Sequence, residues 1–147
     1  FDVNTGEELL KLTPSDGASG DWFGYWAAID GDMAIVGARR SDGAGLDSGS
    51  AYIYDVTTGE ELMKLTASDA GAGDQFGAAV KIEGNFAIVG AYLNDGEGSN
   101  AGSAYVFDVT TGEELYRLSA PDAEPRDEFG RAVGISGYTV MVSSEND

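Results

Sequence analysis

Between residues 76 and 118 the chain passes repeatedly from apolar alternation to polar, glycine-bearing breaks. Phe76, Ala78, Val80 and Ile82 share one face at period two, which predicts a strand over residues 76–82. Glu83-Gly84-Asn85 then reads as a short hairpin turn. Residues 86–91 are apolar throughout, as in a strand covered on both faces. A polar loop over 94–102 leads to a third strand at 103–109, where small and large residues alternate. Thr110-Thr111-Gly112 turns the chain, and residues 113–118 form a fourth strand whose charges suit an outer edge. No stretch carries a helical period.

The same pattern returns. Phe1-Asp2-Val3-Asn4-Thr5-Gly6-Glu7-Glu8-Leu9 reappears from Tyr54 and again from Phe107, a step of 53 residues. Phe23-Gly24, Phe76-Gly77 and Phe129-Gly130 keep that step. Three units follow: 1–53, part of one blade plus the first two strands of the next; 54–106; and a truncated 107–147. Four antiparallel strands per repeat of about 50 residues is one propeller blade. The expected class is all-β, with β-propeller-type blades, about three blades' worth, open or completed by neighbouring chains. A β-solenoid is the structural alternative.

The phase of the repeat places Phe1 at the end of a third strand and Asp147 just after a second. Two arrangements fit that phase. The chain is a segment of a larger propeller, or blades are completed head-to-tail between copies, in a ring or a filament.

Composition narrows the chemistry. The net charge is −18, from 26 acidic against 8 basic residues. Such a field opposes nucleic acid and anionic membrane surfaces and favours cations. With no histidine and no cysteine, imidazole or thiolate metal sites and His-dependent nucleophile systems are excluded. Oxygen-ligand chemistry remains, hence calcium or magnesium. No apolar run approaches a membrane span, so no membrane insertion is expected.

Asp74-Gln75-Phe76-Gly77-Ala78-Ala79-Val80, with Gly84 and then Ala87-Ile88-Val89-Gly90-Ala91, resembles the FG-GAP repeat. The first unit matches through Asp21-Trp22-Phe23-Gly24 and Ala34–Ala38, and the third through Asp127-Glu128-Phe129-Gly130. In the third unit Ser143-Ser144 replace Gly-Ala. The resemblance implies the propeller of integrin α subunits and of bacterial cell-surface and secreted proteins. It implies an extracellular, non-enzymatic structural or adhesion module, with extracellular protein or glycan, further blades or other copies as partners.

Integrin-type repeats often carry an Asp-x-Asp-x-Asp-Gly calcium loop between their first two strands. Here that hairpin is only Asp30-Gly31-Asp32, Glu83-Gly84-Asn85 or Ser136-Gly137-Tyr138, too short for the site. Two other acidic sets are candidates. The loop after the second strand offers Asp42 and Asp47 in one unit, and Asn94, Asp95, Glu97 and Asn100 in the next. The approach to Phe-Gly offers Asp69 and Asp74, with Asp16 and Asp21, and Asp122 and Asp127, at the same spacing. A calcium ion in each blade is one reading. The other is turn chemistry, in which aspartates cap their own backbone amides. No residue is assigned a catalytic role: paired carboxylates can cleave glycosides, but an active site occurs once and these recur. Tyr52, Tyr54, Tyr92 and Tyr105 are either sugar-stacking platforms or strand packing residues.

Overall fold

The hairpin pattern folds as written in a computed structural model. It describes residues 1–146; Asp147, where the sequence reading ends the last unit, lies outside them. Strands β1 (Phe23–Asp30), β2 (Met33–Ala38), β3 (Ser50–Asp55) and β4 (Glu61–Leu65) form one antiparallel sheet in chain order. Strands β5 (Ala79–Glu83), β6 (Phe86–Ala91), β7 (Ser103–Asp108) and β8 (Glu114–Leu118) form a second in the same order. Strands β9 (Val133–Ser136) and β10 (Thr139–Val142) pair only with each other. No helix occurs among the described residues. The antiparallel order rules out a solenoid coil, and the sheets do not close into a ring.

The two full sheets are register copies. β2 pairs with β3 from Met33↔Asp55 to Ala38↔Ser50, and β6 with β7 from Phe86↔Asp108 to Ala91↔Ser103. The third-to-fourth hairpin is built by one aspartate. Asp55 Oδ1 accepts bonds from the Thr57 amide at 2.7 Å and the Thr58 amide at 3.1 Å; Asp108 Oδ1 accepts from the Thr110 amide at 2.8 Å. That is the physical content of the recurring Asp-Val-Thr-Thr-Gly.

Each sheet buries both faces. Ile35, Ala51, Ile53 and Leu65 of the first sheet meet Val80, Ile82, Ala87, Val89, Tyr105 and Phe107 of the second. The reverse face of the second sheet, with Ile88, Ala104 and Val106, is covered by Val133, Ile135, Val140 and Val142. β1 packs against β5 and β5 against β9, so the sheets fan out from their first strands. Along that inner edge the Gly84 amide donates to Asp30 Oδ2 at 2.7 Å and the Gly137 amide to Glu83 Oε1 at 2.9 Å.

One boundary differs from the sequence expectation. Residues 76–78 do not belong to β5. Gln75 at φ 56° and Gly77 at φ 91° interrupt the extended backbone, so the strand starts at Ala79. Phe76 instead makes a parallel bridge to Gly49, and Phe129 does the same with Gly102. Residues 8–12, equivalent to a fourth strand, join no sheet, while Leu12 packs on Val36, Ala38, Tyr52 and Tyr54.

Candidate functional site

The acidic residues fall into three structural roles. Asp21, Asp74 and Asp127 are buried, and each accepts the amide three residues before it: Ala18 at 2.8 Å, Gly71 at 2.8 Å and Glu124 at 2.6 Å. They fold the approach to Phe-Gly. Asp42 Oδ1 accepts the Asp47 amide at 2.8 Å and Asp95 Oδ1 the Asn100 amide at 2.7 Å. Both close their loops, where Asp47 and Asn100 take left-handed φ of 54° and 56°.

Asp16 and Asp69 have a third role, tying the approach loop to strands three and four. Tyr52 donates its hydroxyl to Asp16 at 2.8 Å, and Tyr105 to Asp69 at 2.6 Å. Lys64 lies 2.6 Å from Asp16. Arg117 Nε lies 3.0 Å from Asp69 as an ion pair without the alignment of a hydrogen bond. The Lys64 ammonium and then the Tyr52 hydroxyl hold the Asp16 carboxyl below its ordinary range. Burial pushes the Asp74 carboxyl upward, against the Asn94 and Gly71 donors.

In the second blade, three of the candidate metal ligands meet a protein cation, and a fourth, Asp74, is joined to it through Asn94. Arg117 reaches Asp69, Glu97 at 3.0 Å and the Asn94 carbonyl oxygen at 3.1 Å. Buried Asn94 in turn donates to Asp74 at 2.9 Å. Asp95 and Asn100 stay in their own loop, and Asp42 and Asp47 stand in the other blade. Among the described residues no three acidic groups converge on a common point for an ion. Turn capping and ion pairing thus engage Asp16, Asp21, Asp42, Asp69, Asp74, Asp95, Glu97 and Asp127.

A different cluster appears at the inner ends of the first strands. Tyr25 and Trp26 on β1, Arg39 after β2, Ala78 before β5, Tyr92 after β6 and Arg131 before β9 line a cleft of about 410 Å³. The Arg39 guanidinium sits 4.1 Å from the Tyr25 ring centre and 4.5 Å from that of Trp22; Arg40 sits 4.4 Å from Trp22. Such contacts contribute about 0.5–2 kcal/mol each. Arg39 Nη1 donates to Gln75 Oε1 at 2.8 Å and to the Tyr92 hydroxyl at 3.0 Å. Arg131 lies over Tyr92 at 4.9 Å and pairs with Glu128 and Glu145. Of the four tyrosines weighed in the sequence, only Tyr92 reaches this cleft; Tyr52, Tyr54 and Tyr105 are core residues.

The sequence did hold a signal for the cleft. Positions 25, 78 and 131 are equivalent in the repeat, yet carry Tyr, Ala and Arg; positions 39, 92 and 145 carry Arg, Tyr and Glu. Both positions change chemical type in every unit, whereas the neighbouring Phe23, Phe76 and Phe129 do not.

A family model described as FG-GAP repeat matches three consecutive segments, 7–54, 60–107 and 113–147. The chain belongs to the FG-GAP repeat family. FG-GAP repeats typically occur in extracellular or surface proteins and suggest a β-propeller-like adhesion or structural module. No curated protein matches the chain. Among solved structures, the crystal structure of the computationally designed Ika8 protein is similar at 18% identity with a TM-score of 0.48. That match covers 79% of this chain and 28% of the designed one, so the FG-GAP chain spans little more than a quarter of that protein's length.

The FG-GAP signature has a packing reason. Phe76 stands edge-on to Tyr105 and Phe107, with ring centres 5.5 and 5.9 Å apart, and Phe23 does likewise with Tyr52 and Tyr54. The following glycine lets its own carbonyl press on the preceding blade. A Cβ on Gly37 would meet Gly77 O at 2.0 Å, and one on Gly90 would meet Gly130 O at 1.9 Å. Both glycines of the motif are thus imposed by contact between blades.

Proposed function

We propose that this FG-GAP chain is a non-enzymatic binding module of an extracellular, bacterial adhesin, presenting a recognition surface on a propeller scaffold. The observation that carries this reading is the cleft between Tyr25, Trp26, Arg39, Tyr92 and Arg131. Its lining residues differ from unit to unit, and 410 Å³ lies within the ~300–1,000 Å³ of small-ligand sites. The repeated carboxylates, by contrast, serve turns and ion pairs, which supports a scaffold without catalysis. Immobilised chain should retain an extracellular polysaccharide or protein from a defined panel and release it intact. Shortened polymer, or retention unaffected by replacing Trp26, would sink the proposal.

A second reading rests on its own observation. β2 and β6 are paired on both sides, whereas β10 pairs only with β9. The free edge of β10 suits pairing with a strand of another copy, giving head-to-tail assembly. Sedimentation at increasing concentration tests it: growing species support it, and a single monomeric boundary throughout excludes it.

A further inference from the structure

Arg39 is unusual in so acidic a chain. There are 26 acidic residues for 8 basic ones, yet Arg39 and Arg40 form no ion pair among the described residues. Arg39 Nε is buried, and Nη1 already serves Gln75 and Tyr92, so Nη2 is the nitrogen left to meet a ligand. A guanidinium N–H is a strong donor to a carboxylate. The third guanidinium nearby, Arg131, already has Glu128 and Glu145, so the free positive charge of the cleft is that of Arg39. Around it stand rings: Tyr25, with Arg39 over it, Tyr92, with Arg131 over it, and Trp26 line the cleft, and Trp22 backs the arginine. Exposed rings beside hydrogen-bond donors suit the apolar face of a sugar ring, while Ala78, in the place of Tyr25, leaves the cleft open.

We propose that this cleft binds a saccharide unit carrying one carboxylate, its ring stacked on the aromatic wall and its carboxylate on Arg39. The proposal rests on the binding-module reading and names its ligand class. Charge limits the ligand further. At physiological salt a charge is felt over about 8 Å, so a lone carboxylate in the cleft sees mainly the local guanidinium groups. A densely charged polyanion must also lie along the rest of a surface of net charge −18, and is repelled.

The chain has two tryptophans, and Trp22 and Trp26 are both here, so intrinsic fluorescence reports the site directly. The probe is methyl glucuronide at millimolar concentration. It should give a saturable change. Methyl glucoside, N-acetylglutamate and heparin should each bind more weakly by about tenfold or more, a difference of 1.4 kcal/mol. Arg39→Met should weaken glucuronide by about the same factor, and Arg39→Lys by less, since the charge stays. Thermal melts of both variants establish that they are folded. No saturable response to glucuronide overturns the proposal, as does an equal response to glucoside or an affinity indifferent to Arg39→Met. If N-acetylglutamate binds as well as the sugar, the ligand class is wrong while the binding module stands. Cleavage of the glycoside would instead overturn the non-enzymatic reading itself.

Discussion

The carbonyl oxygen of Gly77 would stand 2.0 Å from a Cβ placed on Gly37. The two glycines belong to successive blades, and no side-chain rearrangement relieves the overlap because the obstacle is backbone. Gly37→Ala should therefore cost about 2–4 kcal/mol, through forced separation of the sheets. Gly31→Ala is the control. Its φ of 55° is strained for alanine but its surroundings are open, so about 1–2 kcal/mol is expected. Urea unfolding of both variants checks the order; a smaller loss at Gly37 than at Gly31 would refute the contact argument.

Phe76 is fully buried between Tyr105 and Phe107. Phe76→Ala should cost about 3–5 kcal/mol. Phe129 has the same place in the third unit but is only half-buried, and Phe129→Ala should cost markedly less. Equal losses in calorimetric melts would mean that the aromatic slot does not set the value.

Stability should fall in acid. Asp16 is lowered by Lys64 and then Tyr52, and Asp55 and Asp108 by their threonine partners. A carboxyl lowered in the folded state contributes stability above its unfolded pKa, near 3.8 here, and loses it as pH falls through the folded value. Asp74, raised by burial, runs the other way: its contribution is present at low pH and lost as pH rises through its folded value. The lowered groups outnumber it, so the urea midpoint should drop below about pH 4. In Asp16→Asn that drop should be shallower; an unchanged slope would remove Asp16 from the account.

Arg117 supplies the positive charge that Asp69 and Glu97 face. Chelator should leave the melting midpoint of the unmodified chain where it is. Arg117→Met should lower it, and added calcium should recover part of the loss by binding the freed carboxylates. A midpoint that falls with chelator in the unmodified chain would show a cation site that Arg117 does not replace.

The sequence made the scaffold readable because the scaffold is periodic. Residues 86–91 were bounded to the residue, since an apolar run between a glycine turn and a polar loop has one interpretation. The start of β5 was not, because alternation counts side chains and cannot see the left-handed turns at Gln75 and Gly77. That Phe76, Ala78, Val80 and Ile82 are all buried explains why the pattern still looked continuous. Asp95 and Glu97 read equally well as ligands or caps, because both uses want oxygen at short spacing. Arg39 carries no such pattern, because its partners, Trp22, Tyr25, Gln75 and Tyr92, lie in different strands and loops and meet only when the sheets fan together.

The glycine at the blade junction also governs how such a chain can change length. Gly37 receives Gly77, and Gly90 receives Gly130, through the same geometry. Excision of residues 54–106 would bring Gly37 opposite Gly130 with the lock and key unaltered, so the array can shrink or grow by whole units without inventing a new interface. Ser143 holds the corresponding position in the third unit, and its hydroxyl oxygen accepts the Ala132 amide at 3.0 Å. Duplication is thus cheap wherever this pair of glycines meets.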